Sequence, residues 1–361
     1  MKLRLLDLGA QDGFTIQTVY EAVARCEKFQ DTLILCHPER PYVCPGVHQV
    51  VKAEIDTEFC KEHEIPIVRR QTGGGTVYND TGQQFYQIVL SKQKSKRDTG
   101  EFYENFLKPT IYCYKKFGLP AVYKPLNDVV INGRKASGNA AMSAGGANIL
   151  IGNIMLDPDV ETMARVLKVP SEKFRDKLAE NISGWITSLK KELGEVPERE
   201  QIKDYYLEGW NEMGFEFEKG SLTVEEKEKL NELISKFKSK EWIYKREFEH
   251  PELVSVMDSQ FTKIKGGHFI FEASFKAEKL IRITMEIIDD HINEILISGD
   301  FFIEQVDELE KLENELAGCK IEKEILTGRI ERFFTQHQIH SYGATAEDFA
   351  YAIVKASKKM V

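Results

Sequence analysis

Two arginines followed by three glycines are the first residues in this chain whose types and spacing could do chemistry. Arg69 and Arg70 precede the run Gly73–Gly75, and strands are predicted on either side over 65–68 and 84–90. Glycines leave backbone N–H groups uncovered, and arginine reaches carboxylates and phosphates with paired hydrogen bonds. The pattern predicts an anion-binding bend; a plain glycine-rich hairpin with two solvated arginines also fits it. It matches neither the dinucleotide-binding G-x-G-x-x-G motif nor a P-loop.

A lysine at a predicted hairpin is the second such group. The apolar strand over 129–131 ends in Asn132 and Gly133, a pair that accepts the positive φ angles of a two-residue turn. Lys135 then begins the return strand, and the small residues over 136–138 leave room beside it. A lysine placed in this way can be held over a phosphate. An ordinary charged hairpin tip is the alternative interpretation.

In combination, the two groups resemble the motifs of the lipoate–protein ligase family. That family carries paired arginines, a spacer, three glycines, an aromatic residue and an aspartate, then Asn-Asp, a hairpin, and a lysine with Ser-Gly after it. The matching positions are Arg69, Arg70, Gly73, Gly74, Gly75, Tyr78, Asp80, Asn127, Asp128, Lys135, Ser137 and Gly138. Segments 42–49, 181–189 and 298–302 resemble further family segments, so the resemblance spans nearly the whole chain, in the long form with an accessory C-terminal domain.

The chain departs from the family pattern at two histidine positions. The family carries a histidine beside a glycine ahead of an apolar strand, whereas Leu150 and Ile151 precede Gly152 here. Asn79 stands where the family has a histidine before Asp80. Both changes remove an imidazole from the expected pocket, and they leave the preferred acyl chain and the acceptor protein open.

The resemblance implies both a fold and a reaction. The fold is α+β: a class II synthetase-like or biotin-ligase-like catalytic domain with a mixed sheet, followed by a small α+β domain. The reaction is an ATP-dependent ligation, in which lipoate or octanoate becomes an acyl-adenylate as pyrophosphate leaves. The acyl group then passes to a specific lysine of a lipoyl-domain acceptor, either a 2-oxoacid dehydrogenase E2 protein or a glycine-cleavage H protein, and AMP leaves.

Such chemistry brings two anions together, so it needs positioning and electrostatic stabilisation but no nucleophile on the protein. The resemblance makes Lys135 the catalytic residue, bridging phosphate and acyl oxygens, and assigns anion binding to Arg70 and the glycine amides. The predicted nucleotide- and lipoate-binding residues are Arg70, Thr72, Gly73, Gly74, Gly75, Thr76, Val77, Tyr78, Asp128 and Lys135.

Asp128 is the one predicted metal ligand, because a hard carboxylate together with phosphate oxygens suits the Mg²⁺ that accompanies ATP. Capping of the hairpin is an equally open role for this residue. Val77 and Tyr78 are expected to bound the nucleotide or the acyl tunnel, and Tyr78 as a plain core residue is the alternative.

Two other functions stay open from the sequence. An octanoyl or lipoyl transferase works without ATP but needs a cysteine nucleophile. Cys113 falls in an apolar helix and Cys319 in the distal domain, whereas Cys36 and Cys44 precede the glycine run and can approach the pocket. The other possibility is a non-catalytic module that binds lipoate or a lipoyl domain, against which the retained arginine and lysine argue.

The composition of 361 residues, 42% hydrophobic and 30% charged, is that of a soluble globular protein. A net charge of -9 argues against nucleic acid as the main partner, and without an apolar run of about 18 residues we expect no membrane span. Asp7 stands too early for a secretory signal, so we expect a cytoplasmic protein whose six cysteines are reduced and buried. The basic segment 92–97 is either a solvated loop or a landing patch for an acidic partner.

The end of a charged helix over 240–242 and the break at His250-Pro251 predict two domains, a catalytic domain over 1–244 and a lid-like accessory domain over 250–361. The first begins with a helix over 11–28, and a second helix over 101–117 is expected to kink at Pro109. Further expected elements are a strand over 149–156; helices near 159–167, 171–179, 198–213 and 223–239; strands near 268–276, 280–288 and 292–299; and helices near 304–316, 322–335 and 345–358.

Overall fold

The computed structural model describes the whole chain except residues 94, 96–98, 169–174, 248–260, 266–267, 304–306 and 358–361. The chain divides into two compact units, each formed from segments that are separated in sequence. Unit 1 comprises Met1–Cys44, Ile55–Arg69 and Val77–Ile243, and unit 2 comprises Pro45–Glu54, Arg70–Thr76 and Tyr244–Val361.

An eight-stranded mixed sheet forms the centre of unit 1. The strands of this unit are β1 (Lys2–Gln11), β2 (Thr32–Pro38), β3 (Tyr42–Cys44), β4 (Val77–Asn79), β5 (Gln83–Ser91), β6 (Ala121–Lys124), β7 (Asp128–Ile131), β8 (Arg134–Ala144), β9 (Ala147–Met155) and β10 (Glu216–Lys219). The sheet order is β10-β1-β2-β5-β9-β8-β7-β6, and β3 pairs with β4 separately. The β10, β1 and β2 strands run parallel, while the pairs from β2 onward are antiparallel.

Eleven helices are described between residues 13 and 243. They are α1 (Gly13–Ala24), α2 (Val51–Glu54, which belongs to unit 2), α3 (Thr57–Glu62), α4 (Thr99–Phe106), α5 (Lys108–Lys116), α6 (Val160–Val166), α7 (Arg175–Trp185), α8 (Leu189–Leu193), α9 (Arg199–Glu212), α10 (Val224–Phe237) and α11 (Lys240–Ile243). Trp210 of α9 and Tyr114 of α5 join Leu33, Ile88 and Leu150 of the sheet in one buried cluster. The sheet therefore offers a rigid base for the hairpin at its β7 and β8 strands.

Two sequence predictions for unit 1 are wrong, and proline explains both. The helix over 101–117 is two helices rather than one kinked helix, because Pro109 lies in the first turn of α5, where its missing N–H is not needed. The segment 65–68 is not a strand. Within it Ile67 makes only an isolated bridge to Val43, and Pro66 has no N–H with which to continue the pairing.

Unit 2 is built on an antiparallel sheet in the order β11 (Phe261–Lys265), β12 (His268–Lys276), β13 (Leu280–Ile288) and β14 (His291–Gly299). The chain continues through β15 (Phe302–Ile303), α12 (Glu308–Leu316), α13 (Lys323–Gln336), β16 (Ser341–Tyr342) and α14 (Ala346–Ser357). Alternate residues of β13, such as Ile283 and Met285, are fully buried with Leu312 and Ile330 of the helices. The three strands and three helices predicted for this region are confirmed, although 304–306 lie outside the described residues.

The glycine run belongs to unit 2, which differs from the uninterrupted 1–244 domain that we predicted. Hydrogen bonds explain the difference. Gly74 N donates to Phe301 O over 3.4 Å, and Gly299 N donates to His48 O over 3.4 Å. An ion pair between Glu54 and Arg282 adds to them. The last segment of unit 1 ends at Ile243.

Candidate active site

The hairpin that carries Lys135 forms as the sequence predicts. Asn132 has φ of 50° and Gly133 has φ of 78°, so both turn residues adopt the left-handed conformation of a tight two-residue turn. The register is irregular between Val129 and Val130, so that Val130 pairs with Lys135 and Asp128 pairs with Gly138. Lys135 therefore lies opposite Val130, two residues from Asp128 on the adjacent strand.

Lys135 and Asp128 form an ion pair, with 2.7 Å between Nζ and Oδ1. Each side chain is 21% exposed, so the pair is screened only partly by solvent. A Cβ atom at Gly138 would lie 3.2 Å from Lys135 Cε and 3.5 Å from its Nζ. The glycine thus leaves the course of the lysine side chain open, as expected for the small residues that follow it.

Trp185 also adjoins the lysine, which the sequence did not indicate. The Lys135 ammonium lies 5.6 Å from the indole centroid, within cation–π distance. Trp185 ends α7, and Thr187 N donates to Lys135 O over 2.8 Å, so the segment is fixed to β8. The indole is 59% exposed. In the sequence, 181–189 resembles a family segment, but no pattern there assigns this tryptophan a role.

Buried amide side chains on neighbouring strands of the sheet hydrogen-bond the Lys135 hairpin. Asn153 Oδ1 accepts from Gly138 N over 2.9 Å, and its Nδ2 donates to Gln83 Oε1 over 2.7 Å. Gln83 Nε2 in turn donates to Tyr78 O over 3.2 Å and to Asp80 Oδ1 over 3.3 Å. This row of hydrogen bonds connects the end of the glycine motif with the residues beside Lys135. We refer to Asp80, Gln83 and Asn153 as the amide row.

Burial raises the pKa of Asp80, the acid at one end of the amide row, although backbone and side-chain donors oppose the shift. Its Oδ2 accepts from Asp159 N over 2.7 Å and its Oδ1 from Gly82 N over 2.9 Å. These contacts are to backbone groups of neighbouring turns, so Asp80 orders the structure around the motif rather than facing a ligand.

A second buried group of hydrogen bonds explains Gly152. Tyr86 Oη donates to Asn139 Oδ1 over 2.5 Å, and Asn139 Nδ2 donates to Asn127 O over 2.9 Å. A Cβ atom at Gly152 would lie 2.4 Å from Tyr86 Oη and 2.0 Å from Asn139 Oδ1. The glycine is therefore required for the approach of Tyr86 and Asn139 across the sheet.

The guanidinium of Arg70 binds the glycine run itself. Its Nε donates to Thr72 Oγ1 over 2.9 Å, and its Nη2 donates to Gly73 O over 2.8 Å and to Gly75 O over 2.7 Å. The residue is 8% exposed. Arg69 is fully buried, and its Nε donates to Ile243 O over 2.8 Å. The alternative of two solvated arginines is therefore wrong.

Close packing explains why the run has no side chains. Gly74 has φ of 89°, and a Cβ atom on it would lie 2.9 Å from Phe302 Cζ. A Cβ atom on Gly73 would lie 2.9 Å from Phe301 O. Thr76 Oγ1 donates to Gln49 Oε1 over 2.5 Å. The run is thus a shaped loop within unit 2, with fixed contacts on both sides.

The predicted binding residues are divided between the units. Those in unit 2 are Arg70, Thr72, Gly73, Gly74, Gly75 and Thr76, and those in unit 1 are Val77, Tyr78, Asp128 and Lys135. Tyr78 is 4% exposed, and burial raises the pKa of its hydroxyl, whereas Val77 is 43% exposed. The structure brings Asp128 and Lys135 into direct contact.

Asp128 is the predicted metal ligand of the site. Among the residues that the structure describes, no group of three or more His, Cys, Asp or Glu side chains is arranged to hold a metal ion. One carboxylate is nevertheless sufficient for Mg²⁺ when substrate phosphates supply the other oxygens. The chemistry of this carboxylate therefore fits an ion that would arrive with ATP.

All six cysteines are free thiols and buried. Burial raises the pKa of Cys36 to about 12 and raises that of Cys113 further. Cys44 is fully buried in β3. Since the thiolate is the nucleophilic form, burial disfavours that form at Cys36 and Cys113.

Lys94, Lys96 and Arg97 of the basic segment lie outside the described residues. Within the described part of the chain, no helix has both the length and the apolar character that crossing a membrane requires.

Comparison with protein families identifies two matching regions. Residues 14–211 match the lipoyl protein ligase A/B catalytic domain, which is more than half of the chain. Residues 278–353 match the bacterial lipoate protein ligase C-terminus. The two matches follow each other in the order that the sequence motifs predicted.

Two relatives show the range of activities in this family. The lipoate-protein ligase LplJ of Bacillus subtilis is 25% identical over 323 residues, covering 88% of this chain and 89% of its own. The octanoyltransferase LipM of Kyrpidia tusciae is 28% identical over 271 residues, covering 67% of this chain and 98% of its own.

Solved structures share the fold. A bipartite lipoate protein ligase of Thermoplasma acidophilum, studied with its E2 lipoyl domain, has a TM-score of 0.62 at 25% identity and covers 70% of this chain and 99% of its own. LipL1 of P. falciparum in complex with lipoate has a TM-score of 0.69 at 15% identity and covers 98% of each chain. An ATP-bound lipoate-protein ligase A has a TM-score of 0.58 at 22% identity, covering 68% of this chain and 99% of its own. The predicted α+β fold, a mixed-sheet domain with a small C-terminal sheet domain, is confirmed.

Proposed function

Because the chain belongs to the lipoate–protein ligase family, we propose that it is an ATP-dependent lipoate–protein ligase. One observation carries the proposal: the Lys135 ammonium stands at a tight hairpin, 2.7 Å from Asp128 and open to solvent over 21% of its side chain. An ammonium held by one carboxylate can exchange that partner for a phosphate oxygen without a change in the hairpin that carries it.

Two half-reactions use this one charge. When the acid's carboxylate oxygen attacks the α-phosphorus, pyrophosphate leaves and negative charge grows on the phosphate oxygens. When the acceptor amine attacks the acyl carbon, charge grows on the carbonyl oxygen, the amine loses a proton and AMP leaves. A positioned ammonium stabilises both transition states, and such a donor contributes about 10²–10³-fold in rate. No bond forms between the protein and the acyl group.

We assign the second cationic contribution to Arg70 and the glycine run. Arg70 holds the carbonyls of Gly73 and Gly75, and Gly74 N donates to Phe301 O, so the N–H groups of Gly73 and Gly75 are the proposed donors for an anion. Its charge adds a positive potential at the same loop. Thr72, Thr76, Val77 and Tyr78 complete the proposed lining for nucleotide and lipoate.

Mg²⁺ would arrive with ATP and take Asp128 as its protein ligand, neutralising part of the phosphate charge. The proposed acceptor is a lipoyl domain, on an E2 protein or a glycine-cleavage H protein. The Thermoplasma acidophilum ligase studied with its E2 lipoyl domain supports the first of these. We also propose that the basic segment 92–97 docks an acidic acceptor.

An ATP-independent octanoyltransferase is the second candidate, because a LipM octanoyltransferase is among the relatives. The mechanism needs a reactive cysteine. The buried thiols with raised pKa described above argue against it. Lipoate rather than octanoate as substrate is likewise a proposal.

The test supplies purified protein with ATP, Mg²⁺, lipoate and an unmodified lipoyl domain, and follows AMP by chromatography and the domain by mass spectrometry. A ligase gives AMP and a lipoylated domain in equal amounts. A parallel reaction replaces ATP and lipoate with an octanoyl-protein donor. Acylation in that reaction alone would establish a transferase, and binding without acylation in both would establish a binding module.

The accessory role of residues 250–361 also remains a proposal. Phe301 and Phe302 of unit 2 contact the glycine run, which supports a part for this region in adenylation and in retention of the intermediate. A Phe302→Ala variant should make acyl-adenylate more slowly and release more of it, measured as free adenylate per AMP formed. Unchanged values would assign the region another purpose, such as acceptor choice.

A further inference from the structure

We propose that Asn153 is a positioning residue for Lys135 and acts through the backbone of Gly138. The inference rests on the proposed function, in which the Lys135 ammonium must reach both phosphate and acyl oxygens. Asn153 contacts no substrate in this scheme. It determines the position of the Gly138 backbone, which adjoins the Lys135 side chain.

The Asn153 side chain is held at both ends. Its Oδ1 accepts from Gly138 N over 2.9 Å and its Nδ2 donates to Gln83 Oε1 over 2.7 Å. Asn153 is 7% exposed and Gln83 is 2% exposed. Only a side chain with a donor and an acceptor on one short stem satisfies both partners, so a buried apolar replacement leaves two groups without hydrogen bonds.

Gly138 links this amide to the lysine. It pairs with Asp128 across the hairpin, so it stands opposite the acid that holds the ammonium. A Cβ atom there would be 3.5 Å from Lys135 Nζ and 3.9 Å from Asn153 Oδ1, which places both atoms on the same side of the glycine. A small displacement of this backbone therefore changes the room available to the ammonium, and catalysis is sensitive to displacements of about 1 Å.

The far end of the amide row makes the placement rigid. Gln83 donates to Tyr78 O over 3.2 Å and to Asp80 Oδ1 over 3.3 Å. The row thus links the Lys135 hairpin to the end of β4 through hydrogen bonds. Asn153, at the centre of this row, therefore fixes the position of the hairpin backbone, whereas Lys135 stabilises the negative charge that develops on the substrates.

The same strand offers a matched control in Asn148. Its Oδ1 accepts from Ser143 Oγ over 2.7 Å and its Nδ2 donates to Ser95 Oγ over 3.1 Å. It is an asparagine of β9 with both ends bonded, but its partners are remote from the Lys135 hairpin. Loss of an amide from β9 as such should affect both positions alike.

The experiment compares Asn153→Leu, Asn153→Asp, Asn148→Leu and Lys135→Ala. Pyrophosphate exchange measures adenylation, and transfer from preformed lipoyl-adenylate to a lipoyl domain measures the second step. We expect Asn153→Leu to lower kcat of both steps by a similar factor, at least tenfold, with KM for ATP changed less than threefold. Asn148→Leu should change either kcat less than twofold.

Asn153→Asp keeps the acceptor for Gly138 and adds a charge on the lysine side. It should retain more activity than the leucine variant but still lower kcat of both steps with KM for ATP nearly unchanged, because the side chain no longer donates to Gln83. This readout also decides the matter if the leucine variant does not fold, since parental kcat of both steps in Asn153→Asp would refute the proposal.

Equal rates for Asn153→Leu and Asn148→Leu would likewise overturn the role of Asn153. Lys135→Ala distinguishes a failure of the Asn153 proposal from a failure of the role proposed for Lys135. If this variant is inactive while Asn153→Leu is normal, the positioning inference alone fails. If Lys135→Ala remains active, the assignment of Lys135 fails and the inference fails with it.

Discussion

The Lys135 hairpin of unit 1 and the glycine run of unit 2 each carry a cation, but the two cations are used differently. Lys135 contacts the Asp128 carboxylate and lies within cation–π distance of the exposed Trp185 indole. Arg70 directs donors to Thr72, Gly73 and Gly75 of its own loop. The lysine thus contacts side chains that a ligand can replace, whereas the arginine is hydrogen-bonded to its own loop and stabilises the shape of that loop.

Under the proposed function, this difference gives separate tasks to two residues that are both cations in the sequence. A charge that must follow two successive oxygens needs a flexible stem and an exchangeable partner, which lysine and Asp128 provide. A loop that must present N–H groups in a fixed geometry needs a planar, multiply bonded cation, which arginine provides. Exchange of the two residue types should therefore damage both sites for different reasons.

The largest expected effect is that of Lys135→Ala. Removing one donor aimed at developing charge lowers kcat by about 10²–10³-fold, and we expect this loss in both adenylation and transfer. The melting temperature should stay near that of the parent, since the side chain is partly exposed and its support comes from Asn153, Gly138 and the hairpin turn. Pyrophosphate release and lipoyl-domain mass report the two steps.

Lys135→Arg sharpens the same comparison. A planar guanidinium is wider than an ammonium and cannot rotate between two oxygens within the space beside Gly138, so we expect it to fail as well. A folded Lys135→Arg enzyme with near-parental kcat would show that charge alone suffices, and the distinction drawn between the two cations would be lost.

Gly74→Val should have the next largest effect. Valine is strained at a φ of 89°, and its Cβ atom would lie 2.9 Å from Phe302 Cζ. Residues forced into such conformations cost about 1–3 kcal/mol, so the loop should shift and weaken both ATP and lipoate binding. Calorimetry measures both affinities. Gly75→Ala is the control, because its added Cβ atom meets only Asp300 Cβ at 3.7 Å; equal affinities for both variants would make the glycines structural only.

Arg70→Lys tests the other half of the comparison. Lysine keeps the positive charge but cannot bond Thr72, Gly73 and Gly75 from one planar group. A hydrogen bond to a charged group contributes about 1.5–3 kcal/mol, so we expect weaker binding of ATP and lipoate by roughly tenfold to a hundredfold. If instead Arg70→Lys binds both ligands normally and Arg70→Ala does not, the arginine acts by charge and the loop does not need its bonds.

The sequence was sufficient for the hairpin because local rules determine it. Asn132 and Gly133 can adopt the required φ angles by themselves, and alternation fixes the strands beside them. The same local reasoning indicated Lys135 with its small neighbours. It failed over 65–68, where an apolar run containing Pro66 suggested a strand that the missing N–H prevents.

The partners of the two cations depended on distant segments and were not predictable in this way. Asn153 is 18 residues from Lys135 by number, and nothing in its local pattern relates it to Gly138. The same holds for Phe302, which contacts a glycine more than two hundred residues earlier. A buried polar side chain on a central strand is the one signal that sequence reasoning could have used, since such a residue requires a partner.

The smallest expected effect concerns Trp185, which distinguishes the lysine site from the arginine site by its exposure. A cation–π contact at an exposed position contributes about 0.5–1 kcal/mol, so Trp185→Ala should lower kcat of adenylation only a few-fold, and Trp185→Phe should restore most of the loss. Trp210 and Trp242 are buried, so quenching of fluorescence by iodide reports mainly on Trp185. Adding ATP and lipoate should change that quenching in the parent and leave Trp185→Phe unaffected. Two results together would contradict this role: substrates leave the quenching of the parent unchanged, and Trp185→Ala keeps full activity. The indole would then lie near Lys135 without helping to hold it, and Asp128 would be the lysine's one exchangeable partner among the contacts described above.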